Sequence, residues 1–232
     1  MLDKTAKVEN ILAFTQAVYS VQHSSPILNK MIVVSAPPGF GKTKAAAHIV
    51  PSINGIHIRV RAIWTPGTLL ENLLKEFSVP PKHRCSEMFD QLVELQEKLK
   101  RPIFFDEADY LLDKTALLNI TRDLYDETRT PIIFIVTDEI QQRFRQLEKF
   151  GKRIAKWVKF QPCSQEDAEL LASEVCEVTV AQDLITHLNI RGRGEIGNLV
   201  LGLGNIEDFA KDKKLQEIDR KQWGNQKFSF EP

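Results

Sequence analysis

Positions Val8, Ile11, Leu12, Thr15, Val18 and Tyr19 recur at helical spacing and predict an amphipathic opening helix over residues 5–20. A loop, His23-Ser24-Ser25-Pro26, separates it from the apolar run 31–35, which reads as a strand. A short helix is expected over 43–49, stopped by residues 51–55. Over residues 56–63 the apolar Ile56, Ile58, Val60 and Ala62 alternate with His57, Arg59 and Arg61, the period of a half-buried strand. Trp64-Thr65-Pro66-Gly67 ends that strand, and a helix is predicted over 69–77. Beyond Pro80-Pro81, Ser86 is a candidate N-cap for a helix through Phe89, Leu92, Val93, Gln96 and Leu99. The runs 102–105 and 132–136 are uniformly apolar and too short for helices, so both read as buried strands. Helices are expected over 117–126, with Thr115 as candidate N-cap, and over 140–150, and a last strand over 157–161. After Pro162 the pattern is helical to Ala210, opening with the capping-box spacing Ser164-Gln165-Glu166-Asp167.

Strands alternating with helices imply an α/β domain, a parallel sheet with helices on both faces. The helical stretch 162–210 reads as a small subdomain and residues 211–232 as a charged tail. The aromatics Trp223, Phe228 and Phe230 in that tail suit a partner-docking peptide and packing on the chain's own domain equally well.

Lys plus Arg and Asp plus Glu both number 31, so the formal net charge is zero, which argues against a strongly basic nucleic-acid binder acting as a lone subunit. The charge is nevertheless segregated. Residues 87–139 are predominantly acidic, whereas Arg143, Arg145, Lys149, Lys152, Arg153, Lys156 and Lys159 face only Glu148. This basic run reads either as a solvated face or as an edge that meets the acidic edge of a neighbouring copy, or DNA. Cys85, Cys163 and Cys176 are far apart, which suggests neither a disulfide framework nor a zinc site. No apolar run has the length of a membrane span and the N-terminus lacks a signal-peptide block, so a cytoplasmic location without membrane contact is expected.

The chemistry begins at Ala36-Pro37-Pro38-Gly39-Phe40-Gly41-Lys42-Thr43, where a strand breaks into a loop and ends in Gly-Lys-Thr. Backbone N–H groups of such a loop can surround a phosphate, the lysine meets the outer phosphates, the hydroxyl takes magnesium and the helix N-terminus adds its dipole. The strict Walker A pattern has glycine where Ala36 stands. A second signal supports the reading. The strand 102–105 runs into Asp106-Glu107-Ala108-Asp109, adjacent carboxylates of which Asp106 would hold the Mg²⁺ shell and Glu107 would polarise the attacking water. Thr137 and Asp138 follow the next strand, where a polar side chain could reach the γ-phosphate. Residues Pro38 to Lys44 (Pro38, Gly39, Phe40, Gly41, Lys42, Thr43 and Lys44) and Asp106 are thus the candidate ATP-binding set, with Thr43 and Asp106 as metal ligands. Arg59, Arg61, Trp64 and Thr65, at a strand-to-helix junction, are candidate nucleic-acid contacts, the alternative being a solvated strand face.

The chain from about residue 5 to 210 resembles the AAA+ ATPases of bacterial transposition, the MuB, TnsC and TniB group. The resemblance rests on Thr5-Ala6-Lys7-Val8-Glu9-Asn10, the phosphate loop, Phe104-Phe105-Asp106-Glu107-Ala108-Asp109, Leu124-Tyr125-Asp126-Glu127-Thr128-Arg129-Thr130-Pro131 and Phe150-Gly151-Lys152-Arg153-Ile154-Ala155. It implies an AAA+ P-loop core over residues 1–161 followed by a helical lid over 162–210. It also implies Mg²⁺-dependent ATP hydrolysis, head-to-tail filaments on double-stranded DNA, and recruitment or stimulation of a transposase. By the same resemblance Thr137 takes the sensor-1 position and Arg153 looks like an arginine finger. The usual sensor-2 arginine falls on Gly197, so Arg191 or Arg193 is the candidate substitute. The chain begins almost at the core, so no separate sequence-reading DNA module is expected, and DNA contacts should be to phosphates. An AAA+ ATPase that switches a protein–protein assembly without DNA, secretion-associated or clamp-loader-like, is the competing expectation.

Overall fold

In the computed structural model, which describes residues 1–2 and 4–231 and all of their side chains except those of Gln141, Arg145, Glu148 and Lys149, the apolar runs become strands of one parallel sheet. Arg145, Glu148 and Lys149 belong to the basic run, so the charge balance expected there lies partly outside the described residues. The chain forms two compact units, one of Phe14–Pro37 and Lys42–Lys159, the other of Met1–Ala13, Pro38–Gly41 and Phe160–Pro232.

In the first of these, α1 (Glu9–Gln22), which contributes its part from Phe14 onward, precedes β1 (Met31–Ser35), α2 (Lys42–Ile49) and β2 (Ile56–Arg59). Next come α3 (Pro66–Lys75), α4 (Cys85–Leu99), β3 (Ile103–Asp106), α5 (Asp109–Leu112) and α6 (Thr115–Thr128). The unit ends with β4 (Ile132–Val136), α7 (Asp138–Gln146), α8 (Glu148–Gly151) and β5 (Ile154–Lys159). The sheet order is β2-β3-β4-β1-β5, every pairing parallel. All residues of β1, β3 and β4 are buried, as strands covered on both faces must be, whereas β2 and β5 are edges with polar positions. Phe105, Phe134, Phe144 and Phe150 stack and tilt against one another at 5.0–6.3 Å between centroids in the core beneath the sheet.

Several boundaries differ from the periodicity. β2 ends at Arg59 rather than at residue 63, because its partner β3 ends at Asp106; Val60 N–H still donates to the Asp106 carbonyl, and the chain then turns, Trp64 N–H to Arg61 O at 3.1 Å. Helix α3 starts at Pro66, three residues before the expected point, with Thr65 as N-cap accepting from Thr68 N–H and proline at the first helical position. Thr115 is the first residue of α6 rather than its cap, and the single helix expected over 140–150 is divided into α7 and α8. β5 begins at Ile154, not 157, since Met31 pairs with Ile154 and the register then slips by a bulge.

In the second unit, α9 (Gln165–Val175) has Ser164 accepting from Asp167 N–H at 3.0 Å. It is followed by β6 (Thr179–Val180), α10 (Gln182–Gly192), α11 (Ile196–Asp212), β7 (Glu217–Ile218) and α12 (Arg220–Trp223), with β6 and β7 parallel. The tail aromatics pack on their own unit. Trp223 and Phe228 are buried and stack at 5.2 Å, Phe230 stacks on Phe228 at 5.3 Å, and Phe209 of α11 meets Trp223 edge-on at 5.4 Å. Gly202 makes the close approach possible, since a Cβ there would stand 2.2 Å from Leu188 Cδ1. Among the described residues no helix is long and apolar enough to cross a membrane.

Candidate functional site

The C-terminal edge of the sheet collects the candidate chemistry of the first unit. β1 delivers the chain into the phosphate loop, and α2 starts at Lys42. Lys42 Nζ donates to the carbonyls of Ala36 at 2.5 Å and Pro37 at 3.0 Å, and burial lowers its pKa against the pull of Asp109, Asp106, Asp138 and Glu107. At the next residue, Thr43 Oγ1 donates to Asp106 Oδ2 at 2.7 Å. Asp106 is buried at the end of β3, where its Oδ1 accepts from Glu107 N–H at 3.0 Å and His57 Nε2 stands 3.6 Å from Oδ2. Burial opposes its ionisation, but the groups facing it, His57, Thr43 and the Glu107 amide, outweigh that and hold its pKa below the ordinary carboxylate value.

Glu107 adopts φ +55°, the left-handed region that a non-glycine residue rarely enters, and its Oε1 accepts from Arg59 Nη2 at 3.0 Å. Asp109 Oδ1 accepts from Thr137 N–H at 3.2 Å, which ties the end of β4 to the start of α5, and burial raises the Asp109 pKa. Thr137 is the N-cap residue of α7, and Asp138 beside it pairs with Lys159 at 3.1 Å.

The donor set fits magnesium and a nucleotide. A hydroxyl and a carboxylate converge at hydrogen-bond distance, hard oxygens of the kind Mg²⁺ takes alongside waters and phosphate oxygens. Among the described residues there is no group of three His, Cys, Asp or Glu that would hold a metal without such help.

Residues Pro38–Gly41 belong to the second unit and lie against the start of α11. Gly39 and Gly41 take φ +83° and +79°, and Gly197 N–H donates to Gly39 O at 2.9 Å. A Cβ on Gly197 would stand 3.2 Å from that carbonyl, so an arginine here would crowd the loop backbone. Glu195 and Ile196 are the loop's other neighbours, 3.3 and 3.0 Å from where Cβ atoms of Gly39 and Gly41 would lie. Arg193 caps α10 in the left-handed conformation and is exposed, while Arg191 pairs with Glu231. Phe40 is half-buried, and Pro38 and Lys44 are exposed.

The expected DNA contacts divide. Arg59 and Arg61 are exposed, Arg59 being engaged with Glu107. Trp64 does not stand on the surface as the DNA contact expected of it: the residue is 7% exposed and packs in the core, and its carbonyl accepts from Lys114 Nζ at 2.8 Å. Thr65 Oγ1 serves as the cap of α3. Arg153 lies at the opposite end of the sheet from Lys42 and Thr43, its carbonyl accepting from Met31 N–H while β1 runs about 15 Å to the loop. Its guanidinium forms a fork on Asp126, Nε to Oδ1 at 2.7 Å and Nη2 to Oδ2 at 2.6 Å. This bonding draws the Asp126 pKa down and the Arg153 pKa up. The sequence reading missed Asp126, His57 and Glu195 as neighbours of these groups; nothing in local spacing marks them, since each meets its partner across strands or between helices.

A family model described as AAA domain matches residues 28–144. No curated protein matches the sequence. Among solved structures, the chain is similar to the ORC1 protein of Aeropyrum pernix, determined in complex with DNA, at 13% identity and TM-score 0.64, covering 92% of this chain and 62% of that one. It is similar to the ADP form of the ORC2 protein of the same organism at 12% identity and TM-score 0.67, covering 96% and 68%. The Holliday junction branch migration motor RuvB of Thermotoga maritima matches at 14% identity and TM-score 0.63, covering 92% and 66%. The chain thus spans about two thirds of the length of these proteins, and at such identities the likeness is one of fold: a parallel β2-β3-β4-β1-β5 sheet flanked by helices and followed by a helical region, the AAA+ fold. AAA domains typically bind ATP with Mg²⁺. With the match extending over half of its residues and the sheet, loop and carboxylates in place, the chain belongs to the AAA domain family.

Proposed function

We propose that the protein is a Mg²⁺-dependent ATPase of DNA transposition that assembles head to tail as a filament on double-stranded DNA, selects the target and recruits or stimulates a transposase, with hydrolysis driving disassembly. The observation that carries the reading is the set Thr43–Asp106 and Glu107–Arg59, a metal-binding pair beside a carboxylate whose cation partner is open to solvent. Pro38 to Lys44 cradle the phosphates, with Lys42 on the outer ones. Thr43 and Asp106 would hold magnesium, which when bound would neutralise charge on the phosphate oxygens. Glu107 orients the attacking water and takes its proton, Thr137 contacts the water or γ-phosphate, and Arg153 reaches the site of the next copy. Arg59 and Arg61 meet DNA phosphates without reading sequence. The DNA-bound state of the similar ORC1 protein supports a DNA role, and the narrower transposition role rests on the motif resemblance. The protein acts in the cytoplasm.

Electron microscopy and sedimentation with duplex DNA, with and without ATP, test the reading. Filaments are expected only with ATP, weakened by Arg61→Ala and abolished with nucleotide binding by Lys42→Ala. A second reading, a nucleotide switch of protein–protein assembly without DNA, is favoured by the zero net charge and predicts ATP-linked oligomers indifferent to DNA.

A further inference from the structure

β2 and β3 pair in register, His57 opposite Phe104 and Arg59 opposite Asp106, so His57 and Asp106 are diagonal neighbours on one face of the sheet. The ladder fixes both backbones. Ile56 N–H donates to Pro102 O at 2.7 Å and Val60 N–H to Asp106 O at 2.9 Å, on either side of the histidine. The His57 residue is half-buried, and its Nε2 lies out of contact with solvent without a hydrogen-bond partner among the described residues. Asp106 Oδ2 stands 3.6 Å from that nitrogen, just beyond hydrogen-bond length. A buried ring nitrogen left unpaired costs free energy, and one kept so beside a metal-binding carboxylate calls for a role there.

Asp106 is already held at two points, Oδ1 by the Glu107 N–H at 3.0 Å and Oδ2 by Thr43 Oγ1 at 2.7 Å. Each carboxylate oxygen has a second lone pair, and in the tautomer with its proton on Nε2 the imidazole is a donor beside the one on Oδ2. We infer that His57 is a positioning residue of the magnesium site: its Nε2–H donates to Asp106 Oδ2 and, with Thr43 and the Glu107 amide, fixes the plane of the carboxylate. A closure of about half an ångström brings the pair to an ordinary N–H···O length. A ligand whose plane is fixed in advance gives up less side-chain freedom on taking a metal, which is what groups behind a metal's own ligands supply. The inference rests on the reading that Thr43 and Asp106 hold magnesium, and it places His57 behind them, touching neither nucleotide nor metal.

Titration of a fluorescent ATP analogue, with Mg²⁺ and again with a chelator, compares the wild type with His57→Leu, His57→Gln and Thr43→Ala, alongside thermal melting. Leucine keeps much of the ring's volume and removes the donor, whereas glutamine carries an amide N–H to nearly the place of Nε2. His57→Leu is expected to lose about tenfold or more of its affinity in Mg²⁺ and none in chelator, and His57→Gln to recover most of it. Where leucine lowers the melting temperature, His57→Asn decides, because its shorter amide falls short of Asp106 and the same Mg²⁺-specific loss is expected. Equal losses in both conditions, or a glutamine variant no better than leucine, would overturn the donor role in favour of packing alone. Wild-type affinity in His57→Leu or His57→Asn, while Thr43→Ala loses its Mg²⁺-dependent binding, would overturn the inference and leave the magnesium reading intact. A wild type that binds the analogue equally with Mg²⁺ and with chelator, unaffected by Thr43→Ala, would overturn both.

Discussion

Arg59, the last residue of β2, donates from Nη2 to Oε1 of Glu107 across a sequence separation of 48 residues. The carboxylate suited to activating water is thereby engaged by an exposed cation while its own backbone sits at φ +55°. An anion that drew Arg59 away would leave Glu107 free to orient water. In Arg59→Ala the turnover without DNA should rise about two- to fivefold, the rate equivalent of an exposed ion pair of ~0.5–1 kcal/mol, and duplex DNA should add little further. A steady-state phosphate-release assay reads both numbers. A fall in basal turnover would mean that Arg59 positions Glu107 for the reaction instead.

The Thr43 hydroxyl donates to the Asp106 carboxylate at 2.7 Å, and on the proposed reading removal of that hydroxyl takes away one of the two side-chain ligands that would hold magnesium. Titration of Thr43→Ala with ATP should show an affinity in Mg²⁺ lowered about 10- to 100-fold, with affinity in a chelator nearly unchanged. Equal losses in both conditions would indicate a role in forming the loop rather than in holding magnesium.

Trp64 and Arg61 are three residues apart, yet the structure separates their duties. The buried Trp64 ring predicts that Trp64→Ala costs about 3–5 kcal/mol in chemical denaturation. Arg61, exposed beyond the end of β2, should leave that midpoint unmoved when replaced by alanine and should reduce the salt dependence of DNA binding by about one phosphate contact.

Glu207 of α11 is buried with the ammonium groups of Lys211 and Met1 on its Oε1 and the Glu177 N–H on its Oε2 at 3.0 Å. Burial opposes its charge, but these donors prevail and bring its pKa from 4.5 down to about 2. A depressed carboxylate contributes stability above its unfolded pKa and loses it as pH falls through the folded value. Glu207→Gln should therefore be less stable than the wild type at pH 7 by about 3 kcal/mol, with the gap closing as the pH falls from about 4.5 to about 2. Urea denaturation across that interval measures it.

The sequence by itself determined whatever depends on neighbours along the chain. Uniform apolar runs identified β1, β3 and β4 as central strands, because a parallel strand covered on both faces has no polar side to show. Glycines before Lys42 and the carboxylates after Phe105 were legible because phosphate and metal chemistry draws on adjacent residues. The alternation that extended β2 to residue 63 misled, since a strand ends where its partner ends, and β3 stops at Asp106. Only the tertiary structure decided that Glu107 is held by Arg59, that Arg153 forks on Asp126, that Trp64 faces inward and that Gly197 touches Gly39. Those partners are brought together by strand order and helix packing, which hydrophobic period leaves open: the same pattern of buried and exposed positions is compatible with many neighbours, and side-chain pairing selects one of them.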